Sequence, residues 1–265
     1  MGYAHTSQDA TDIDFSNISC SVRPTLPPTG VAKRSEPLSN ISKITTEMKN
    51  TQHTHCNHLF QKLVKEHNLV DKFIEIAKEL HYPIFKSNEA YPINLNIWGI
   101  RSNSKCTTHY NDVIAVFYNE VIDDGDVWNL HLFEATTDPS DLLLEQPMNK
   151  RGTAILAEGY HKALWEIGKH KAQYVALVQT NPCYIYRDNN EDTIMNLDTL
   201  SYGEFGINLH HAASTRVQEE IGHYSAGCQV IKDINQWNDV FIPLVKKAVG
   251  KGTQSYVLIN EIDIY

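Results

Sequence analysis

The feature that most constrains the fold is a change of hydrophobic period near residue 90. Between about His55 and His81 the apolar residues Leu59, Leu63, Val70, Phe73, Ile74, Ala77 and Leu80 recur at steps of three and four. That spacing predicts one amphipathic helix or two, closed by Tyr82-Pro83. From Ile93 onward the pattern becomes short β-like runs: 95–98, 113–118, 127–133, 153–156, 174–178 and 183–186, broken by turn residues such as Asp123-Asp-Gly125 and Thr137-Asp-Pro139. A helix near Asn235 to Val249 and a last strand, Ser255 to Ile259, complete the series. The expected domain is mainly β (α+β), spanning 91–265, with a helical segment, 51–90, packed against it. No internal repeat is present.

Residues 1–50 are rich in Ser, Thr, Asn, Asp and Pro, with few large apolar side chains, and predict a disordered leader. The whole net charge of −9 lies after residue 90: the first 90 residues hold 10 Lys+Arg and 10 Asp+Glu, and the remainder 13 and 22. A nucleic-acid partner is therefore not expected, because phosphate binding requires a basic face. No apolar run reaches 18 residues, so no membrane span is expected. The first thirty residues lack the layout of a secretory signal, which points to synthesis in the cytoplasm.

Cys20, Cys56, Cys106, Cys183 and Cys228 are odd in number and widely spaced, which argues against a disulfide framework. His53, His55, Cys56 and His58 do not match a structural-zinc spacing and read better as the start of a helix. No metal and no cofactor are expected. Asp188, Asn190, Asp192, Asn196 and Asp198 set oxygen side chains at intervals resembling a calcium loop, but Thr193 and Thr199 stand where glycine and glutamate belong. A polar connection that caps its own backbone is the favoured reading.

The chemistry concentrates near the C-terminus, where His210 is followed by fourteen residues and then Ser225-Ala-Gly-Cys228. A thiol becomes a good nucleophile near neutral pH when an imidazole or a cation lowers its pKa. Phe205 to Leu209 and Gly227 to Ile231 read as strands and 212–222 as a loop, so His210 and Cys228 meet if the strands are neighbours. His211 should point to the other face of its strand. Gly227 lets the backbone approach a substrate carbonyl, so the amides of Gly227 and Cys228 are candidates to hold an oxyanion.

This frame resembles the signature of the L,D-transpeptidase catalytic domain, in which a cysteine attacks peptidoglycan stem peptides. Gly206-Ile-Asn-Leu-His210 is similar to the strand carrying that family's histidine, and Gly159-Tyr160 is loosely like another of its segments. A broader likeness runs through Asn96 to Arg101, Ala135 to Pro139, Gly168 to His170 and Tyr186 to Asn189, toward a branch found in phage and bacterial proteins. Two positions depart: Ala226 replaces the usual histidine of Ser-His-Gly-Cys, and Gln229-Val230 replaces an arginine-containing step.

The resemblance implies a β-sandwich with Cys228 as nucleophile, His210 as base, and Ser225 and Gly227 shaping the catalytic loop. Peptidoglycan is the implied partner, reached at the wall or periplasm by non-classical delivery. Tyr160, His170, Tyr224 and Arg187 are candidate contacts for stem-peptide carboxylates, with His223 nearby. Wall cleavage is the leading expectation, and crosslinking or D-amino-acid exchange the alternative. A catalytically silent binding module or phage structural component is the reading from a different class.

Overall fold

The computed structural model describes residues 57–88, 91–104, 107–122, 125–249 and 252–265. The expected leader, and the histidines and cysteine at 53–56, lie outside them. Two helices open the described chain, α1 (His58–Val64) and α2 (Leu69–Leu80). Asn57 caps α1, its side chain accepting the Phe60 N–H at 2.8 Å, while its amide donates to the carbonyls of Tyr110 and Asp112 at 3.0 and 2.9 Å. One buried side chain thus starts the helix and ties it to the sheet. His81, in the left-handed region at φ 57°, ends α2 just before Tyr82-Pro83.

The strands follow as β1 (Asn96–Arg101), β2 (Asp112–Ile122), β3 (Gly125–Thr136), a short helix α3 (Asp141–Glu145), β4 (Thr153–Leu156), β5 (Gly159–His170), β6 (Tyr174–Gln179), β7 (Cys183–Asp188), β8 (Leu200–Gly203), β9 (Leu209–His211) and β10 (Gln229–Ile231). A helical stretch runs from α4 (Ile234–Gln236) through a π turn into α5 (Ile242–Val249), and β11 (Gln254–Asn260) follows. Eight strands close into a barrel in the order β1-β11-β5-β6-β9-β10-β3-β2, and β4-β7-β8 form a separate three-stranded sheet. The mainly β expectation holds, but the β-sandwich is corrected to a barrel. Closure depends on parallel β1–β11 and β9–β10 pairs and on the Leu177–Leu209 pairing of β6 with β9. The β1–β11 pairing is distant in sequence, and local patterning carries no record of it.

Two cores lie on the two faces of the barrel wall. Ile97, Ile114, Val116, Leu164, Leu177, Leu209, Ile231 and Leu258 fill the inside, joined by Trp237 and Phe241 of the C-terminal helical stretch. On the outer face of β1, β2 and β11, the alternate residues Trp98, Ile100, Val113, Ala115, Phe117 and Val257 meet Leu59, Leu63 and Phe73 of the helices. Phe73 sits 5.1 Å from Trp98 and 5.3 Å from Phe117, ring centre to ring centre. This is why the helical repeat at 59–80 is amphipathic: its apolar stripe covers one patch of barrel. β5 escaped the sequence reading because Lys162, Glu166 and Lys169 interrupt its apolar run. In the fold all three are exposed.

Candidate active site

β9 and β10 lie side by side in parallel, with His210 opposite Val230. Leu209 and Ile231 face the barrel interior, while Val230 and Cys228 pack outside with Tyr110, Ala212, Ile221 and Tyr224. Strand alternation places His210 on that outer face with Cys228. The tip of the β5–β6 hairpin closes over them. His170 ends β5 opposite Tyr174 at the start of β6, and the turn between them uses left-handed Lys171 (φ 49°) and Ala172 (φ 58°). One nitrogen from each of His170 and His210 and the Cys228 sulfur all lie within 4.8 Å of one another.

His210 is buried, and its Nδ1 lies 2.7 Å from the His211 carbonyl oxygen. A carbonyl only accepts, so Nδ1 carries the ring proton and donates it there. Tyr174 Oη is also 3.2 Å from Nδ1. The other nitrogen, Nε2, is buried and has no hydrogen-bond partner among the described residues. Its lone pair is therefore free, and the thiol's own contact is with the Gly206 carbonyl at 3.5 Å. The His170 ring stacks on His210 at 4.2 Å. His170 Nδ1 receives the Asn208 side-chain amide at 3.0 Å, and Asn208 is oriented for this because its Oδ1 accepts the Gln179 N–H at 2.9 Å. Neutral His170 accordingly keeps its proton on Nε2.

The electrostatics correct one expectation. Burial, and then the neighbouring His170, push His210 down to about 3, while burial pushes His170 down to about 4. Burial raises the Cys228 thiol, partly opposed by the Asn208 backbone N–H and Lys171. The pair at rest is a neutral thiol beside a neutral imidazole, and the lowering of the thiol pKa expected from sequence is replaced by a rise. Desolvation dominates because Cys228 packs against apolar Val230, Ile221 and Ala212, while the His210 ring is buried under His170.

Ser225 is fully buried and serves as an anchor for the loop. Its hydroxyl lies 2.7 Å from the carbonyl oxygens of both Asp138 and Cys228, sharing one proton between them, and accepts the Gly227 N–H at 3.2 Å. The Gly227 amide is therefore already engaged, and of the two candidate oxyanion donors only the Cys228 N–H remains without a partner among the described residues. Gly227 has φ +113°, and a Cβ there would collide with the Ala154 carbonyl. Only glycine fits.

Beneath this loop lies a buried ionic cluster. Arg101 Nε is 2.6 Å from Asp138 and its NH1 2.7 Å from Glu158, while NH2 donates to the Leu156 and Thr137 carbonyls. Gln229 bridges the Thr137 and Gly227 carbonyls and accepts the Tyr256 hydroxyl at 2.8 Å. The resulting chain of contacts runs from Arg101 through Asp138 and Ser225 to the carbonyl of Cys228.

Of the remaining sequence candidates, Tyr224 packs beside Cys228, and His223 is exposed on the same one-turn helix (Gly222–Tyr224). Arg187 is committed elsewhere, donating to the Gly152 carbonyl at 2.9 Å and lying 4.9 Å from the Phe205 ring. Tyr160 belongs to the helix-covered outer cluster, its hydroxyl 3.3 Å from Ser255, and is not brought to the thiol. Tyr174, Asn208 and Gly206, whose carbonyl lies 3.5 Å from the sulfur, were missed. Only Asn208 and Gly206 carried a signal, their place beside His210 in the strand motif. In the 188–198 segment, Asp188, Asp192 and Asn196 accept backbone N–H groups of Asn196, Ile194 and Asp198 at 2.6, 2.7 and 3.0 Å. That is the self-capped connection.

His170, His210 and Cys228 are also the one group of metal-ligating type found among the described residues. No helix there is long and apolar enough to cross a membrane. Comparison with protein-family models, with curated proteins and with solved structures finds no match for this chain.

Proposed function

We propose that this chain is a cysteine acyl-transfer enzyme that cleaves peptidoglycan stem peptides. The observation that carries the reading is the convergence of His210 and Cys228 within 4.8 Å, with the Nδ1 proton of His210 held by the His211 carbonyl and the Nε2 lone pair left unpartnered. From a neutral start, proton transfer accompanies attack. Sγ bonds to the carbonyl carbon as His210 Nε2 takes the thiol proton, and the oxyanion accepts the Cys228 N–H. Collapse expels the amine, which leaves with the proton from His210. Water then attacks the thioester, His210 takes a water proton, and the acid departs as the thiol is restored.

The stem-peptide substrate rests on the sequence frame from His210 to Cys228. Hydrolysis is favoured over crosslinking because Ala226 offers no group to orient an amine acceptor, and water needs less positioning. The test is mass spectrometry of purified sacculi incubated with the protein and an excess of a D-amino acid. Shortened stem peptides with new carboxylates are expected, lost in Cys228→Ala and reduced by about two to four orders of magnitude in His210→Ala. Exchange products in excess would establish the transpeptidase alternative. Intact sacculi together with a Cys228 thiol that stays unmodified even through the alkaline range would favour the silent module.

A further inference from the structure

We infer that His170, His210 and Cys228 form a zinc site that, when filled, switches the acyl-transfer centre off. Two imidazoles and a thiolate are a donor set suited to Zn²⁺, and three protein ligands leave a fourth tetrahedral position open. The three residues come from separate elements, the end of β5, strand β9 and the loop before β10, yet their donor atoms converge within 4.8 Å. Independently of that convergence, His210 already has the arrangement of a ligating histidine. Nδ1–H is fixed on a backbone carbonyl at 2.7 Å, and Nε2 is buried with no partner. Cys228 is only partly buried, which gives the cation an entry path.

Binding needs no electron transfer. The sulfur coordinates as thiolate, its proton leaving to solvent, and each imidazole contributes a lone pair. Attack on a carbonyl is then impossible, because the same sulfur and the same Nε2 lone pair are occupied.

Asn208 sets how tightly the cation is held. Its amide N–H points at His170 Nδ1 at 3.0 Å. A cation at Nδ1 displaces that amide. A cation at Nε2 instead drives the ring proton onto Nδ1, against the amide. Either route weakens the site and makes it reversible. Aspartate at this position would keep the acceptor for Gln179 N–H and would favour the cation by either route, accepting Nδ1–H or adding negative charge beside the metal.

The regulatory half of this inference rests on the acyl-transfer reading; the zinc site itself does not, so the two fail separately. The purified full-length protein is titrated with Zn²⁺ by calorimetry and with Co²⁺ by absorption, following the thiolate-to-cobalt charge-transfer band. The expected result is one Cys228-dependent ion per chain, lost in Cys228→Ser. Binding should weaken about ten-fold or more in His170→Ala and tighten about ten-fold in Asn208→Asp. It should be unchanged in Cys56→Ser, which controls for the His53-x-His-Cys-x-His58 run. Circular dichroism verifies the fold of each variant. A band that survives Cys228→Ser, ignores His170→Ala or disappears in Cys56→Ser overturns the site, as does no band at all. Sacculus cleavage that continues at full occupancy overturns the switch, whereas recovery on chelation supports it.

Discussion

Gly227→Ala tests how the loop positions Cys228, the proposed nucleophile, because two separate penalties meet at that residue. At φ +113° an alanine is strained by about 1–2 kcal/mol. Its Cβ would also sit far inside contact distance of the Ala154 carbonyl oxygen, and neither backbone can yield like a flexible side chain. The loop must move, which disturbs the Ser225 hydroxyl contacts to Asp138, Cys228 and Gly227, each worth about 1 kcal/mol net. The combined cost is about 3–5 kcal/mol, or a fall in Tm of about 10 °C for a domain of this size. The internal control is Gly206→Ala: φ is +74°, yet nothing lies within 4 Å of a Cβ there. Only the strain applies, so Tm should fall by about 3–5 °C. Thermal melts give the stability, and peptide-mapped alkylation of Cys228 gives the position of the thiol. Cleavage by Gly227→Ala should drop by about a hundred-fold, the scale for misplacing a reacting atom by about 1 Å. Equal melting of the two variants, or undiminished cleavage by Gly227→Ala, would refute the argument.

Three further outcomes are expected. Because burial raises the Cys228 thiol, its alkylation should be slow at neutral pH and climb through the alkaline range, while Cys183, pushed up to about 12, stays unmodified until unfolding; a fast plateau extending down to pH 6 would mean a preformed ion pair after all. His161, buried on β5 beside Tyr256, is pushed down to about 4 by burial. The unfolded chain therefore takes up that proton first, and stability falls by up to about 3 kcal/mol as pH drops from 6.5 to 4. The gap between urea midpoints at pH 7 and pH 4.5 should narrow in His161→Gln, the remainder coming from His170 and His210, which burial also depresses; an unchanged gap would remove His161 as a contributor. Arg101→Met leaves Asp138 and Glu158 without their buried cation and should cost about 3–5 kcal/mol. Adding Asp138→Leu should recover part of the melt, and a double variant no more stable than the single one would contradict the ion-pair account.

Locally determined features were legible in the sequence. The amphipathic stripe from Leu59 to Leu80 specified helices because one face of each must cover apolar barrel surface. Tyr82-Pro83 marked their end, and the β-branched and aromatic runs marked most strands. The neighbourhood of His210 and Cys228 could also be anticipated, because two short apolar segments flanking a polar loop are easily made adjacent. Closure was decided only by the tertiary structure: β1 pairs with β11 across more than 150 residues, and no local periodicity encodes that partner. The same holds for the composition of the site. His170 and Tyr174 reach His210 because a hairpin with two left-handed turn residues folds over β9. Arg101, on β1, supports the Cys228 loop through Asp138 and Ser225. Residue identities fixed which chemistry was available, but the protonation states were set by burial, a property of the whole fold. That is why a thiol near an imidazole, which in the sequence suggests a lowered thiol pKa, is a neutral pair in the protein.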